Sequence, residues 1–380
     1  MRDLPAFELE RYFARHEFSV TYQLSASDCE PLSPRDLLPP GGGPRLQEFL
    51  SGTLGYTESA GDPALREQIA GYYDMIGTED LLVAAPEEAI FLLMNALLEP
   101  GDHVVVMSPA YQSLLALPRG LGVAVDEWNV RERDGRWELD PDELRGLLRP
   151  ETRLIVVNLP HNPTGLLPDA ETLETIVAVA REHGVYLFSD EMYRGLEYGA
   201  AGTPGPAATA GRLPAVSDLY EKGISLWGLS KSFGLPGLRI GWLATRDEAL
   251  LRRVAALKDY TTICNSAASE WLARVALDQG EALMRTNRER VGAHAELVAG
   301  RLAADGSPVA FLPGRGGSTI LPRFTDGRSS RTFADELRAA ADVLLIPGPL
   351  FDMPDTYFRL GLGRADFPVA FERFAGHLGL

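Results

Sequence analysis

Lysine is nearly absent from this sequence. Of its 36 basic residues among 380, only three are lysines, namely Lys222, Lys231 and Lys258. Cysteine is scarce too, because Cys29 and Cys264 are the only two. Two cysteines so far apart give no disulfide framework and no metal-binding spacing, which is typical of a protein from a reducing compartment.

Long apolar runs and an excess of positive charge are also missing. The chain has no run of about eighteen uncharged apolar residues, and its N-terminal stretch lacks the apolar core of a signal peptide. We therefore expect a cytoplasmic protein without a membrane partner. The formal net charge of -17 argues against a nucleic-acid partner.

Several catalytic and metal-binding motifs do not occur. The six histidines form no HExxH pattern, so no metal site is predicted. A Walker loop, a GxSxG elbow and a GxGxxG fingerprint are absent. Phosphoryl transfer, serine hydrolysis and dinucleotide binding therefore have no support in the sequence.

Lys231 lies at the end of a predicted buried strand, where a lysine amine could react with a ligand. It follows the apolar run ISLWGL and precedes a turn that contains Gly234, Pro236 and Gly237. A lysine amine can lose its proton and form an imine, which an arginine cannot do. The alternative is a lysine whose stem packs on the protein while its ammonium group reaches water.

The sequence alternates between apolar strand patterns and amphipathic helix patterns. A helix is predicted after Asp62 and Pro63, which suit the N-cap and first turn. Strands are predicted over 81–85, 103–107, 123–128, 154–159, 185–190 and 224–229, and helices over 86–98, 112–119 and 169–183. Apolar strands separated by helices indicate an α/β fold with a mostly parallel sheet covered on both faces.

Changes of pattern predict the domain organisation. The stretch PPGGGP at 39–44 marks one boundary, and the shift to a long helical region from Ala267 to about Asp305 marks another. We expect 1–45 to form an N-terminal arm and part of a smaller domain. Residues 46–266 are expected to form the large sheet domain, and 267–380 the rest of the smaller α+β domain.

Polar residues follow three successive predicted strands. Asn162 follows the first, Asp190 and Tyr193 the second, and Ser230 with Lys231 the third. Because parallel strands end at the same edge of a sheet, these side chains should meet. An imine-forming lysine beside a carboxylate is what pyridoxal phosphate requires. Taken singly each residue is weak support, since Asp190 would also suit a strand-end cap.

Six segments together resemble the class I/II aminotransferase family of fold-type I pyridoxal-phosphate enzymes. They occur in the family's order and span nearly the whole chain: GYTESAGDPALREQIA, EPGDHVVVMSPAYQSL, NLPHNPTG, SDEMYRG, SKSFGLPGLRIGW and FRLGLG. The resemblance implies a large domain with a mostly parallel sheet and a smaller α+β domain. It also implies pyridoxal 5'-phosphate as the cofactor.

The resemblance implies roles for individual residues. Lys231 would form the imine with the cofactor and later move the Cα proton, and Asp190 would pair with the pyridine nitrogen. Tyr193 and Asn162 would hydrogen-bond the ring's phenolic oxygen, with Tyr111 stacked on the ring. The phosphate would be held by Ser230, Arg239, the helix start at Ala85, Pro86 and Glu87, and Tyr56 from the partner of a homodimer. Arg359, together with Asn162, would bind the substrate's α-carboxylate.

Three positions depart from the family pattern. Gly228 stands where many relatives have a phosphate-binding Ser or Thr, and Pro86 removes an N–H from the helix start. The stretch LSASDCEPLS replaces a glycine-containing segment that closes over the substrate. Ser27, Asp28 and Glu30 are therefore candidates for the substrate pocket, where carboxylates would favour a cationic side chain. The alternative is a solvated loop whose carboxylates touch nothing.

The sequence thus predicts an aminotransferase that moves the amino group of an α-amino acid to a 2-keto acid. A lyase or cyclase of the capreomycidine synthase type, which uses the same Cα carbanion, is the alternative enzyme. A regulatory aminotransferase-like module is a third hypothesis, but the chain leaves no residues for a DNA-binding domain.

Overall fold

A computed structural model describes residues 4–38, 43–199, 211–302 and 306–380 of the chain. Within these ranges the strands are β1 (Tyr22–Gln23), β2 (Leu81–Ala84), β3 (His103–Ser108), β4 (Ala124–Asn129), β5 (Arg131–Arg133), β6 (Arg136–Glu138), β7 (Thr152–Asn158), β8 (Tyr186–Asp190), β9 (Gly223–Gly228), β10 (Gly241–Ala244), β11 (Val309–Ala310), β12 (Thr319–Ile320), β13 (Arg323–Phe324), β14 (Val343–Leu344), β15 (Ile346–Pro347) and β16 (Phe358–Gly361).

The α-helices in the same ranges begin and end close to the sequence signals. They are α1 (Glu8–His16), α2 (Pro34–Leu37), α3 (Gly43–Ser51), α4 (Pro63–Ala70), α5 (Pro86–Leu97), α6 (Gln112–Gly120), α7 (Pro141–Leu147), α8 (Ala170–His183), α9 (Val216–Leu219), α10 (Glu248–Lys258), α11 (Ala267–Leu277), α12 (Gly280–Leu302), α13 (Ser330–Ala341) and α14 (Phe367–Leu378). The carboxylate of Asp62 accepts a hydrogen bond from the Leu65 N–H at 3.0 Å, so it caps α4 as predicted.

A seven-stranded sheet forms the centre of the molecule, with the strand order β2-β10-β9-β8-β7-β3-β4. Strand β10 runs antiparallel to both of its neighbours, and the other neighbouring strands pair in parallel. The predicted α/β class with a mostly parallel sheet is therefore confirmed. Most of its strand residues are buried, because helices cover both faces.

Alternate residues of each strand enter different parts of the core. Val104 and Val156 pack with α5, α6 and α10, whereas their neighbours Val105 and Ile155 pack with α7 and α8. This alternation follows from the two-residue period of a strand. It also explains why the buried strands read as continuous apolar runs in the sequence.

A second region of short strands and helices contains the C-terminal part of the chain. Strands β12, β16 and β15 form a three-stranded sheet, and β1 from the N-terminal part pairs in parallel with β14. The predicted helical region after residue 266 is divided into α11 and α12. The domain boundaries near residues 45 and 266 stay predictions, and residues 39–42 of the PPGGGP stretch lie outside the described residues.

No helix in the described ranges has both the length and the apolar character needed to cross a membrane.

Glycines of the FRLGLG motif allow the segment 24–30 to lie directly against β16. The Gly361 N–H donates to the Leu24 carbonyl at 2.7 Å, and the Glu30 N–H donates to the Gly363 carbonyl at 3.0 Å. A Cβ atom on Gly361 would overlap the Ala26 carbonyl, and one on Gly363 would overlap the backbone of Asp28. The side chain of any other residue would therefore push this segment away.

We predict that Gly361→Ala lowers the free energy of unfolding by roughly 1–3 kcal/mol, because the added methyl group overpacks the contact with Ala26. The midpoint of denaturant unfolding measures this change. Gly376→Ala is the matched control, since Gly376 lies in α14 with open space around it and alanine favours a helix. Equal midpoints for the two variants would contradict the packing described here.

Candidate active site

A cavity of about 530 Å³ opens at the carboxyl ends of the parallel strands. Twelve of the sequence-predicted residues line it: Ser27, Asp28, Pro86, Glu87, Tyr111, Asn162, Asp190, Tyr193, Ser230, Lys231, Arg239 and Arg359. Residues from the N-terminal segment, the central sheet and β16 meet here. Ligands bind at this edge in open parallel sheets.

Strand register brings the central polar residues together. Asn158 and Asp190, the last residues of β7 and β8, are direct partners in the sheet. The side chain of Asn158 donates to the Asp190 carbonyl at 2.8 Å and accepts from the Asn162 N–H at 2.8 Å. Asn158 therefore fixes the turn that carries Asn162 to the strand that carries Asp190.

Asp190 is a buried carboxylate that forms no ion pair within the described part of the chain. Its side chain accepts a hydrogen bond from the Met192 N–H at 3.1 Å, and no lysine or arginine of the described residues forms an ion pair with it. Burial raises the pKa of Asp190 to about 6, while the Met192 N–H and, next, the positive charge of Lys231 oppose this shift. Since a lone buried charge is costly, this carboxylate suits a ligand that brings its own positive group.

Lys231 is half-buried in the same cavity. Its Nζ donates to Ser27 Oγ at 2.8 Å and lies 5.9 Å from the centre of the Tyr193 ring. The hydroxyl of the preceding residue, Ser230, is buried and has no hydrogen-bond partner among the described residues. Arg239 has a left-handed backbone conformation (φ 56°) and donates to the Pro236 carbonyl at 2.9 Å from the exposed rim of the turn.

The start of α5 borders the cavity beside Ser230 and Arg239. Ala85 is the N-cap residue and lies outside the cavity lining, whereas Pro86 and Glu87 are part of it. Burial raises the pKa of Glu87 to about 7, although the Ser113 hydroxyl donates to its carboxylate at 3.1 Å. The helix start thus offers its free N–H groups next to a carboxyl group that titrates near neutral pH.

Gly228 and Pro86, the two departures at the phosphate end, belong to one packing arrangement. Gly228 pairs with Gly241 across β9 and β10. A Cβ atom on Gly228 would lie 2.8 Å from the Gly241 Cα, and one on Gly241 would lie 2.8 Å from the Pro86 ring. No side chain fits at Gly228 in this backbone. The Ser or Thr hydroxyl expected at this position is therefore absent, and β9, β10 and α5 are in close contact there instead.

Arg359 is the most deeply buried cation of the cavity, with a relative exposure of 1%. Its guanidinium donates to the Ser25 carbonyl at 2.6 Å and to Asn162 Oδ1 at 3.1 Å, and lies 5.0 Å from the centre of the Phe351 ring. Within the described residues its Nε has no hydrogen-bond partner, and no ion pair includes Arg359. Burial lowers the pKa of Arg359.

The ring of Tyr111 lies on another side of the cavity. Its hydroxyl donates to Glu10 Oε1 at 2.7 Å, and its ring centre is 5.1 Å from that of Phe7. Burial and the carboxylates of Glu87 and Glu10 raise the pKa of Tyr111 well above its usual value. The hydroxyl is therefore a hydrogen-bond donor at neutral pH.

The N-terminal helix supplies a wall that our reading of the sequence missed. Phe7, Leu9, Glu10, Phe13 and Glu17 all line the cavity. The sequence offered the signal of an amphipathic helix near the N-terminus, with apolar residues three and four apart. Nothing local to that helix indicated that it docks on a cavity formed some 100 to 350 residues later, as its bonds to Tyr111 and Leu345 show.

The segment LSASDCEPLS contributes two of its three candidate residues to the cavity. It is largely buried, so the hypothesis of a solvated loop with free carboxylates is wrong. Ser27 and Asp28 line the cavity, and Asp28 forms an ion pair with Arg364 at 3.0 Å. Glu30 does not line the cavity, because its carboxylate accepts a hydrogen bond from the Ala365 N–H at 2.8 Å.

Tyr56 lies apart from the cavity, with a relative exposure of 92%. Its assigned contact with a partner's cofactor stays a prediction. His161 holds the NPTG turn in place, since its ring nitrogens bond Thr164 Oγ at 2.6 Å and the Pro109 carbonyl at 2.7 Å.

The cavity residues fit pyridoxal phosphate. A primary amine on Lys231 can form an imine with an aldehyde, and the unpaired buried carboxylate of Asp190 suits a protonated ring nitrogen. The unpartnered hydroxyl of Ser230, the N–H groups at the start of α5 and Arg239 are donors suited to a phosphate.

Comparison with known proteins agrees with this chemistry. The sequence model of the family "Aminotransferase class I and II" matches residues 47–366. The capreomycidine synthase of Streptomyces vinaceus is 32% identical over 368 residues, covering 93% of this chain and 88% of that protein. The aspartate/prephenate aminotransferase of Thermus thermophilus is 30% identical over 345 residues, covering 86% and 84%.

Solved structures are also similar over the whole chain. A PLP-dependent aminotransferase from Streptococcus suis superimposes with a TM-score of 0.90 at 29% identity, covering 100% of this chain and 98% of that one. The PLP-dependent cyclase OrfR superimposes with a TM-score of 0.87, also at 29% identity and with the same coverage. The chain therefore belongs to the class I and II aminotransferase family and is a pyridoxal-phosphate-dependent enzyme of fold type I.

Proposed function

We propose that the enzyme is an aminotransferase that moves the amino group of an α-amino acid to a 2-keto acid. The observation that carries this proposal is the presence of the Lys231 amine and the buried Arg359 guanidinium, which has no ion pair among the described residues, in one cavity. The guanidinium is complementary to the α-carboxylate of an α-amino acid, and the Lys231 amine can act as a base at its Cα. When bound, pyridoxal phosphate accepts the electrons left on the substrate after its Cα proton is removed.

Lys231 is the base of the proposed reaction. Its Nζ removes the proton from the substrate Cα. The same amine later returns a proton, which completes the amino transfer. The hydrogen bond to Ser27 Oγ positions this amine. Asp190 would stabilise a protonated ring nitrogen when the cofactor is bound, since a buried carboxylate of raised pKa is stabilised by a cation beside it.

Arg359 orients the substrate. Its free Nε and remaining N–H groups bind the α-carboxylate, while the bonds to Ser25 and Asn162 keep the guanidinium in one orientation. Holding the carboxylate fixes the Cα–H bond relative to Lys231. Water is displaced from this part of the cavity at the same time, which strengthens both interactions.

The phosphate end is assigned to Ser230, Arg239 and the start of α5, with Tyr56 contributed by the second subunit of a homodimer. Leu50, Leu54, Tyr56, Tyr260 and Ile263 are exposed apolar or aromatic side chains in neighbouring parts of the chain. These residues lie in two stretches, 50–56 and 260–263. The Thr57 hydroxyl, which donates to the Asn265 carbonyl, connects the regions next to them. Such a surface suits contact with another copy of the chain.

A cyclase or lyase is the second candidate. It is favoured by the likeness to a capreomycidine synthase and to the cyclase OrfR. Both candidate reactions begin with removal of the Cα proton by Lys231. They differ in whether a keto acid is needed for turnover.

We expect the purified holoenzyme to consume an amino acid only when a 2-keto acid such as 2-oxoglutarate or pyruvate is present, because the amino group must pass to an acceptor. Chromatography of both amino acids measures this, with one new amino acid formed for each one lost. Lys231→Ala is the inactive control. Ammonia or a cyclised product formed without any keto acid would decide for the second candidate.

We expect Arg359→Lys to lower kcat/KM roughly 10- to 100-fold for every α-amino acid substrate, because a lysine lacks the bidentate fork and charged hydrogen bonds are lost. Steady-state kinetics should place most of the loss in KM. Arg331→Lys, on the exposed side of α13, is the matched control. An unchanged KM would remove Arg359 from the substrate site.

We expect Tyr56→Phe to weaken pyridoxal phosphate binding roughly 10-fold, since one hydrogen bond to a charged group is lost. Equilibrium dialysis of the cofactor measures the change, and light scattering measures the dimer. The equally exposed Tyr260→Phe is the control. A monomer, or a Tyr56→Phe protein with unchanged cofactor affinity, would contradict the assignment.

A further inference from the structure

The wall of the cavity formed by the N-terminal helix carries negative charge. Glu10 of α1 and Glu17 just after it both line the cavity, together with Asp28. Glu10 accepts a hydrogen bond from Tyr111 at 2.7 Å, and no described residue forms an ion pair with Glu10 or Glu17. We refer to Glu10 and Glu17 as the acidic wall.

The acidic wall is held firmly in place. Leu9 is buried against Ile346 and Phe351, and the Tyr12 hydroxyl donates to the Leu345 carbonyl at 2.9 Å. The side chain of Gln112 binds the backbone just before and at the start of α1, accepting from the Glu8 N–H and donating to the Ala6 carbonyl, each at 2.8 Å. The carboxylates therefore face the cavity from a docked helix.

Neither carboxylate of the acidic wall has an ion-pair partner among the described residues. Lys231, Arg239 and Arg359 are the basic residues of the lining, and each has a role assigned above. Arg364 pairs with Asp28, so Asp28 is already neutralised. Burial, and next the carboxylate of Asp28, raise the pKa of Glu17, while the charges of Arg364 and Lys231 act in the opposite direction.

A second feature of the cavity indicates how the remainder of an amino acid would be held there. Arg359 is 1% exposed, its Nε has no partner among the described residues, and it is available for an anionic group. An α-amino acid bound by its carboxylate at Arg359, with its amine near Lys231, has its side chain left for the rest of the cavity. Phe7, Leu9 and Phe13 give that part apolar contacts for a methylene stem.

We propose that the substrate is an α-amino acid whose side chain ends in a cation, either a guanidinium or a primary ammonium, and that Glu10 and Glu17 bind this cation. The proposal rests on the function proposed above. An acidic side chain would instead lie beside two carboxylates without a free cation to pair with it. Like charges at such a site disfavour binding.

The test compares substrates of matched shape with the holoenzyme. L-Arginine ends in a charged guanidinium, and L-citrulline has a neutral ureido group in its place. L-Lysine ends in an ammonium group, which L-norleucine lacks. We expect kcat/KM to favour the cationic member by roughly 10-fold or more, because a charge-assisted hydrogen bond is lost in the neutral one. L-Aspartate should be a poor substrate.

Variants of the acidic wall test whether its carboxylates cause the preference for a cationic substrate. Glu17→Gln and Glu10→Gln should each lower the arginine-to-citrulline ratio of kcat/KM roughly 10-fold, chiefly through KM for arginine. Glu8→Gln is the matched control, since Glu8 lies on the same helix but is exposed and outside the cavity lining. The amide introduced by Glu10→Gln keeps an oxygen that can accept the hydrogen bond from Tyr111.

A binding measurement separates this inference from the proposed function. The unreactive analogue 5-guanidinopentanoate has the carboxylate and the guanidinium but no α-amine, so its affinity for the holoenzyme is measured by calorimetry without turnover. We expect binding that weakens in Glu17→Gln and not in Glu8→Gln.

Each outcome decides one of the two proposals. Keto-acid-dependent turnover of neutral or acidic amino acids, with ratios near one for both matched pairs, overturns the cationic substrate and leaves the aminotransferase intact. Guanidinium binding that depends on Glu17, without keto-acid-dependent turnover of any amino acid, overturns the aminotransferase and supports the cation site. Analogue binding that is equal in all variants overturns the role of the wall.

Discussion

The structure depends on one buried guanidinium. Arg359 joins the carbonyl of Ser25 to the side chain of Asn162, and so ties the N-terminal segment, the NPTG turn and β16 to one point. A buried charge without a carboxylate partner is unfavourable on its own. The surrounding bonds hold it in place, and the resulting site is complementary to an anionic group of a ligand.

Close backbone contacts make this convergence possible. Gly361 and Gly363 allow the segment 24–30 to lie on β16, and Gly234, with φ 70°, lets the turn after Lys231 approach the carbonyl of Glu30. The segment is therefore wedged between the lysine turn and β16. Ser27 reaches Lys231 as a direct consequence, so glycines from two distant motifs set the position of the amine.

Much of this architecture could be predicted from the sequence, because its signals are local. Apolar runs bounded by turn residues located the strands to within about two residues, and strand ends located Asn162, Asp190 and Lys231 on one edge of the sheet. The hairpin of β5 and β6 was missed even though Asp134-Gly135 is a turn signal. The individual roles of the cavity residues rest on the resemblance and stay predictions.

Long-range contacts account for what the sequence did not indicate. Ser25, Asp28 and Cys29 read as a polar loop, yet they are buried because β16 and the lysine turn cover them. The approach of α1 to the cavity likewise depends on Gln112, Tyr111 and Leu345, which are far away in the chain. Hydrophobic period and residue type cannot reveal such partners.

The buried carboxylate of Asp190 links the stability of the protein to the binding of its cofactor. The pKa of Asp190 is raised from 3.8 to about 6, so its ionisation destabilises the cofactor-free fold as the pH rises through this interval. A protonated ring nitrogen beside Asp190 reverses this effect, because it favours the ionised carboxylate. The same buried carboxylate that lowers the stability of the protein without its cofactor therefore contributes to cofactor binding, and the two properties cannot be optimised separately.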